Sequence, residues 1–191
     1  LLGTGLRISE LCGLTETDID LEKRLINVDH QLTKISGVGY HVDPPKTKSG
    51  IRQIPMSSKV YKAFKRVLEN RRGAKPLDVD GYKNFLFLNQ NGLPHVAISY
   101  DAIFRRLVEK YNSSHKEPLP KVMTPHTLRH TFCTNLANAG MNPKALQYIM
   151  GHSDISMTLN YYAHATSDSA RAEMELSLIH ISEPTRHLRI S

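Results

Sequence analysis

Thr124-Pro-His-Thr-Leu-Arg-His130 gathers three groups able to handle a phosphate within one heptapeptide. Thr124 is a good N-cap and Pro125 suits the first helical position, so a helix is expected to start here. His126, Arg129 and His130 then fall at i, i+3 and i+4, on one face of its first turns. A guanidinium fork and imidazole donors beside a helix N-terminus suit an anion. The two histidines also have the spacing of a zinc pair, but no Glu follows His126 and a fixed cation lies between them. Taken alone, the stretch reads equally as a helix with one satisfied histidine and a surface arginine.

The odds change with the rest of the set: Thr4-Gly-Leu-Arg-Ile-Ser-Glu-Leu11 near the start, and Gly151-His-Ser-Asp154 ahead of Tyr161 and Tyr162. With these motifs in this order, the chain resembles the catalytic domain of a tyrosine recombinase, in the phage and conjugative-transposon integrase branch. The resemblance runs from about Leu1 to about Glu175. It implies an α+β fold, mostly α-helical with a small antiparallel sheet. It also implies site-specific DNA recombination through a 3′-phosphotyrosine intermediate, with double-stranded DNA as substrate and a homotetramer on DNA in the whole protein. No cofactor and no metal are implied.

The chemistry has physical requirements that these residues meet. Breaking a phosphodiester without water needs a nucleophile that stays attached, which a tyrosine hydroxyl provides. Charge on the nonbridging oxygens must be neutralised, and two guanidiniums do that. Arg7 and Arg129 take this role in the resemblance. Alone, Arg7 reads as a solvated helix arginine. The departing 5′ oxygen needs a proton, and a mobile ammonium can give it. The family places that lysine in a hairpin, and Lys46, ending the incoming strand, is chosen over Lys48 in the turn. His126 and His152 would bind the phosphate or assist proton transfer; alone, His152 reads as a satisfied histidine beside a helix-breaking glycine.

Adjacent helical residues point about 100° apart, so Tyr161 and Tyr162 cannot both face one phosphate. Family spacing from the second motif histidine selects Tyr161, whereas the Tyr162-Ala-His164 pattern selects Tyr162. Tyr162 is taken as the nucleophile and Tyr161 as a packing residue. Two other readings stand beside recombination: a type IB topoisomerase that relaxes DNA, and a catalytically dead DNA-binding remnant.

At 191 residues with 40% hydrophobic content the chain can bury one real core. A formal charge of +7 favours a polyanionic partner without proving one. No run has the apolar length to span a membrane, and two cysteines, Cys12 and Cys133, suit a reduced cytoplasmic protein better than a disulfide framework.

Several elements must position these groups. Leu6, Ile8, Leu11 and Leu14 are spaced for a short helix beside Arg7. Leu25–Val28, Tyr40–Val42 and Arg52–Met56 read as strands of one small sheet, the last two joined as a basic hairpin around Pro44–Gly50. Ser57 caps a helix expected to reach Arg72, with Lys59, Lys62, Lys65 and Arg66 on its outer face. Phe85–Leu88 reads as a buried strand and Asn91-Gly92 as a turn. A helix over Ile98–Tyr111 should bury Ile103, Phe104, Leu107 and Val108. The Thr124 helix should end near Gly140, Asn142-Pro143 should start the next, and Gly151 should break it. Asp154 or Ser156 would cap a final helix carrying the tyrosines.

The chain opens at Leu1 without Met and is inside a motif by Thr4, so the resemblance implies that residues 1–175 are a partial catalytic domain lacking its DNA-clamping domain and first helices. Leu176–Ser191 resembles the translated end of a sequencing adapter and is expected to be non-native. It holds two arginines and one glutamate, so the remainder keeps a charge of +6.

Overall fold

The computed structural model describes residues 1–70, 77–120, 122–162 and 174. The tail 176–191 and His164 lie outside them, as do Arg71 and Arg72. The fold is mixed, with small antiparallel sheets and six helices among the described residues. β1 (Ile19–Asp20), β2 (Leu25–Val28) and β5 (Arg52–Pro55) form a three-stranded sheet in the order β1-β2-β5. β3 (Gln31–Ile35) and β4 (Gly39–Asp43) form a separate two-stranded hairpin.

This corrects the expected hairpin. The strands flanking Pro44–Gly50 are not partners: β4 pairs with β3 and β5 with β2. The basic segment therefore bridges two sheets and closes with a 3₁₀ turn at Lys48–Gly50. The strand β3 escaped notice because its outer half, Lys34 and Ile35, is exposed and the alternation is short. Phe85–Leu88 is likewise no strand. Phe85 and Leu86 are buried, but the segment is held by isolated bridges, Thr15 to Phe85 and Leu88 to Pro94. Leu86 N donates to Leu14 O at 2.8 Å, so one apolar pair of side chains is buried without a ladder.

α1 (Ile8–Gly13) is a six-residue helix whose inner side joins Leu6, Leu14, Ile26, Ile54 and Phe64 in the first core. α2 (Ser58–Glu69) has Ser57 as N-cap, its Oγ accepting from Val60 N, and Asn70 as C-cap; the expected end near Arg72 lies outside the described residues. It buries Val60 and Phe64, and its lysines lie outside, Lys65 pairing with Glu69. α3 (Ala97–Asn112) buries only Val108; Leu107 is exposed, against expectation, because this helix packs along one narrow edge.

α4 (Pro125–Asn138) and α5 (Pro143–Met150) start where the caps require. Thr124 Oγ1 accepts from Thr127 N, and Asn142 Oδ1 accepts from Lys144 N and Ala145 N. They share a core of Cys133, Ala137, Leu146 and Met150. Both cysteines are buried and free. Gly151 stops α5 in the left-handed region at φ 62°. α6 (Ser156–Leu159) has Asp154 Oδ1 accepting from Ser156 N, and Tyr161 and Tyr162 follow it in a turn bonded back to Thr158 O and Leu159 O.

Candidate active site

A buried carboxylate sets the geometry. Glu10, 2% exposed, lies in α1 with four donors around it. Arg7 N and Arg7 Nη1 reach it at 2.8 Å each, and Arg52 Nη1 and Nη2 at 3.1 and 2.8 Å. Burial alone would raise the Glu10 carboxyl, but the Arg52 and Arg7 contacts outweigh it and hold it below the usual range. Arg52 is fully buried and also donates to Ile149 O at 2.7 Å and Gly50 O at 2.8 Å, which ties β5 to the end of α5. Sequence reasoning missed both Glu10 and Arg52; the available signal was the Arg7-Ile-Ser-Glu10 spacing of i, i+3 at a helix start.

Beside this brace, Arg7 is joined by a third arginine, Arg129. Arg7, the N-cap of α1, gives its second guanidinium nitrogen to Gly151 O at 3.0 Å. Arg129, on the first turns of α4, donates to Gly5 O and Met150 O. Gly5 and Gly151 both sit at positive φ, and a Cβ on Gly5 would lie 2.5 Å from Phe132 Cδ1, so the carbonyl holding Arg129 requires glycine. Burial, then the neighbouring Arg7 charge, pushes Arg129 down to about 10, which leaves it charged at neutral pH.

Arg7, His126, Arg129 and His152 line one hollow of about 290 Å³, closed by Leu6, Ile8, Pro125 and Met157. An adjoining cleft of about 470 Å³ shares Arg7, His152 and Met157 and adds Lys46 and Thr47; Lys48 is not among its lining. Lys46 is exposed at its rim. The hollow is thus edged by guanidiniums and imidazoles, with one ammonium on the adjoining cleft, an arrangement suited to a phosphodiester.

His152 Nδ1 lies 2.9 Å from Thr158 Oγ1, and both residues are buried. Burial first, then the Arg129 and Arg7 charges, pushes the His152 imidazole down to about 4. It is therefore neutral at physiological pH. Because the unfolded chain binds this proton near the ordinary histidine value of about 6.5, the stability His152 contributes is present above that pH. It is lost as pH falls towards 4. We expect the melting temperature to drop across that window, and His152→Gln to flatten the drop. An unchanged slope in the variant would show that the acid sensitivity lies elsewhere.

The two tyrosines diverge. Tyr162 OH donates to Met141 O, beside the α4–α5 core. Tyr161 OH bonds His130 Nδ1, and His130 Nε2 lies 2.6 Å from His126 Nε2. Tyr161 thus connects to the arginine hollow through two rings, and it lines a neighbouring depression with His130, Thr134, Met157 and Asn160. The structure does not bring Tyr162 to that cluster. Among the described residues, no group of three metal-ligating side chains includes His126 or His130.

The Phage integrase family profile matches residues 1–168. The chain is 61% identical over 175 residues to the transposase from transposon Tn916 of Enterococcus faecalis, covering 92% of this chain and 43% of that protein. It is 32% identical over 172 residues to the tyrosine recombinase XerC of Bacillus pumilus, covering 90% and 49%. Among solved structures it resembles the Tn1549 transposon integrase in complex with transposon right end DNA, at 68% identity and a TM-score of 0.87, over 93% of this chain and 56% of that one. That complex carries a phenylalanine in place of a tyrosine. A second, with circular intermediate DNA, carries a lysine in place of an arginine, and the two positions lie 154 residues apart. The chain spans less than half the length of the transposases it matches, yet the family profile covers most of it: it belongs to the phage integrase family.

Proposed function

We propose that the protein to which this chain belongs is a site-specific recombinase of a mobile element, acting on double-stranded DNA. The observation that carries this reading is the convergence of Arg7 and Arg129, 122 positions apart in sequence, on one hollow with His126 and His152. Arg7 and Arg129 hold the nonbridging oxygens of the scissile phosphate. A tyrosine oxygen attacks phosphorus, its proton passing to an imidazole. The bond from phosphorus to the 5′ oxygen breaks, and Lys46 gives that oxygen a proton. The phosphodiester energy stays in the 3′-phosphotyrosine link, so a second 5′ hydroxyl reverses the step on a new partner strand. Paired reactions of this kind fit a homotetramer on DNA, using neither metal nor cofactor, in the cytoplasm where the DNA is. Among the described residues no helix is long and apolar enough to cross a membrane.

For the nucleophile we favour Tyr161 over Tyr162. Tyr161 faces the histidines, and its separation from Arg7 is the same 154 positions found between the substituted arginine and tyrosine of the Tn1549 complexes.

The test is covalent trapping on a nicked suicide duplex, where the cleaved strand diffuses away before religation. An adduct that disappears in Arg129→Ala supports the reading. DNA binding without any adduct would favour a binding remnant, and steady relaxation of supercoiled DNA by the monomer would favour a topoisomerase. Affinity should also be phosphate-driven, its logarithm falling with log salt by about 0.9 per phosphate contacted. Tight, salt-insensitive binding to one sequence in a mobility-shift titration would contradict that.

A further inference from the structure

The proposed chemistry leaves one residue of the cluster without a role. His130 follows Arg129 on α4, is exposed, and does not line the arginine hollow. Yet it makes two side-chain contacts that join the hollow to Tyr161. Its Nδ1 meets Tyr161 OH, and its Nε2 meets His126 Nε2 at 2.6 Å. The His126 and His130 rings are 4.2 Å apart and nearly perpendicular, at 81°, and the Tyr161 ring is 5.5 Å from His130. We infer that His130 is a catalytic proton relay, taking the Tyr161 proton on Nδ1 while releasing its own Nε2 proton to His126. This rests on the recombinase reading and on Tyr161 as nucleophile.

Proton counting supports the direction. Two Nε2 atoms at 2.6 Å share one hydrogen between them. With that hydrogen on His130, its Nδ1 is a lone pair and accepts from Tyr161 O–H. When the tyrosine oxygen attacks phosphorus, its proton moves to Nδ1 and the Nε2 proton moves to His126. His130 ends neutral, as it began. The charge arrives on His126, which lines the hollow where negative charge develops on the phosphoryl oxygens. Burial, then His126 and Arg129, depresses the His130 imidazole, which suits a group that passes a proton on rather than keeping it. The i, i+4 spacing on α4 is what sets the two rings within reach.

The experiment measures covalent adduct formation from pH 5 to 9 on two duplexes, one normal and one with a sulfur-bridged 5′ leaving group. The sulfur leaving group needs no acid. His130→Asn and His130→Phe are expected to slow adduct formation by about 10²–10⁴-fold, with DNA affinity within about twofold of wild type. Sulfur should restore Lys46→Ala but neither His130 variant, and added imidazole should partly restore His130→Ala. Both His130 variants reacting within about threefold of wild type, with an unchanged pH profile, would overturn the relay. Failure of the underlying reading looks different: no adduct from wild type, or an adduct that survives Tyr161→Phe. A second readout needs no turnover. In the free chain the ¹⁵N signals of His130 should report a singly protonated ring and move on Tyr161→Phe, and signals that do not move would equally overturn the relay.

Discussion

Glu10→Gln is expected to destabilise the domain by about 3–5 kcal/mol, the range for breaking one side of a buried ion pair. The carboxylate accepts four hydrogen bonds, two from Arg52 and two from Arg7. A glutamine would turn an NH₂ group towards guanidinium donors and leave the fully buried Arg52 charge without its counter-ion. The loss should reach beyond α1, because Arg52 also holds Gly50 O and Ile149 O, joining the basic segment to the end of α5. The carboxyl is held below its ordinary value, so its contribution is present above about pH 4.5 and is lost as pH falls through the depressed value. Chemical denaturation of wild type and variant at pH 7 measures the difference. A change under about 1 kcal/mol would mean that the arginines find other partners and that Glu10 is no brace. Should the variant be too unstable to purify, Arg52→Met tests the same brace from the other side. It removes the buried cation and leaves Glu10 with Arg7 alone.

How much of this was legible in the sequence depended on whether the signal was local. Helix starts at Thr124 and Asn142 and the stop at Gly151 were readable because caps and left-handed glycines act within three or four residues. The strand partners were not, since Arg52–Pro55 reads the same whether it pairs with β4 or with β2. Pairing is settled by which apolar face meets the core, and Ile54 and Ile26 meet beneath α1 and α2. The arginine positions were legible through resemblance, but their restraints were not. Carbonyls of Gly5, Met150 and Gly151 hold the two guanidiniums, and a backbone oxygen carries no residue-type signature. His130 stood in view as an i, i+4 neighbour of His126, but its meaning needed a third ring, Tyr161, from 31 residues away.

That third ring also gives the sharpest expected result. Tyr161→Phe should abolish the covalent DNA adduct while leaving DNA affinity and folding intact, because the lost hydroxyl is the attacking atom and its hydrogen-bond partner among the described residues is His130 Nδ1. Tyr162→Phe should keep the adduct. Its hydroxyl donates to Met141 O beside the α4–α5 core, and losing that bond costs about 0.5–1.5 kcal/mol of stability rather than the reaction. The consecutive turn bonds at Thr158 and Leu159 point the two side chains in different directions, so one cannot replace the other without unwinding the segment after α6. Burial raises both hydroxyls above the ordinary tyrosine value, the nearby Cys133 thiol adding to it, and Arg129 partly offsets the rise at Tyr161 alone. Tyr161 is therefore the ring that has a proton acceptor on its hydroxyl and is influenced by the Arg129 charge, two aids to a phenol at neutral pH. Parallel trapping of the two variants on the suicide duplex decides it: an adduct lost in Tyr162→Phe and kept in Tyr161→Phe would transfer the nucleophile to Tyr162 and require the turn after α6 to rearrange on DNA.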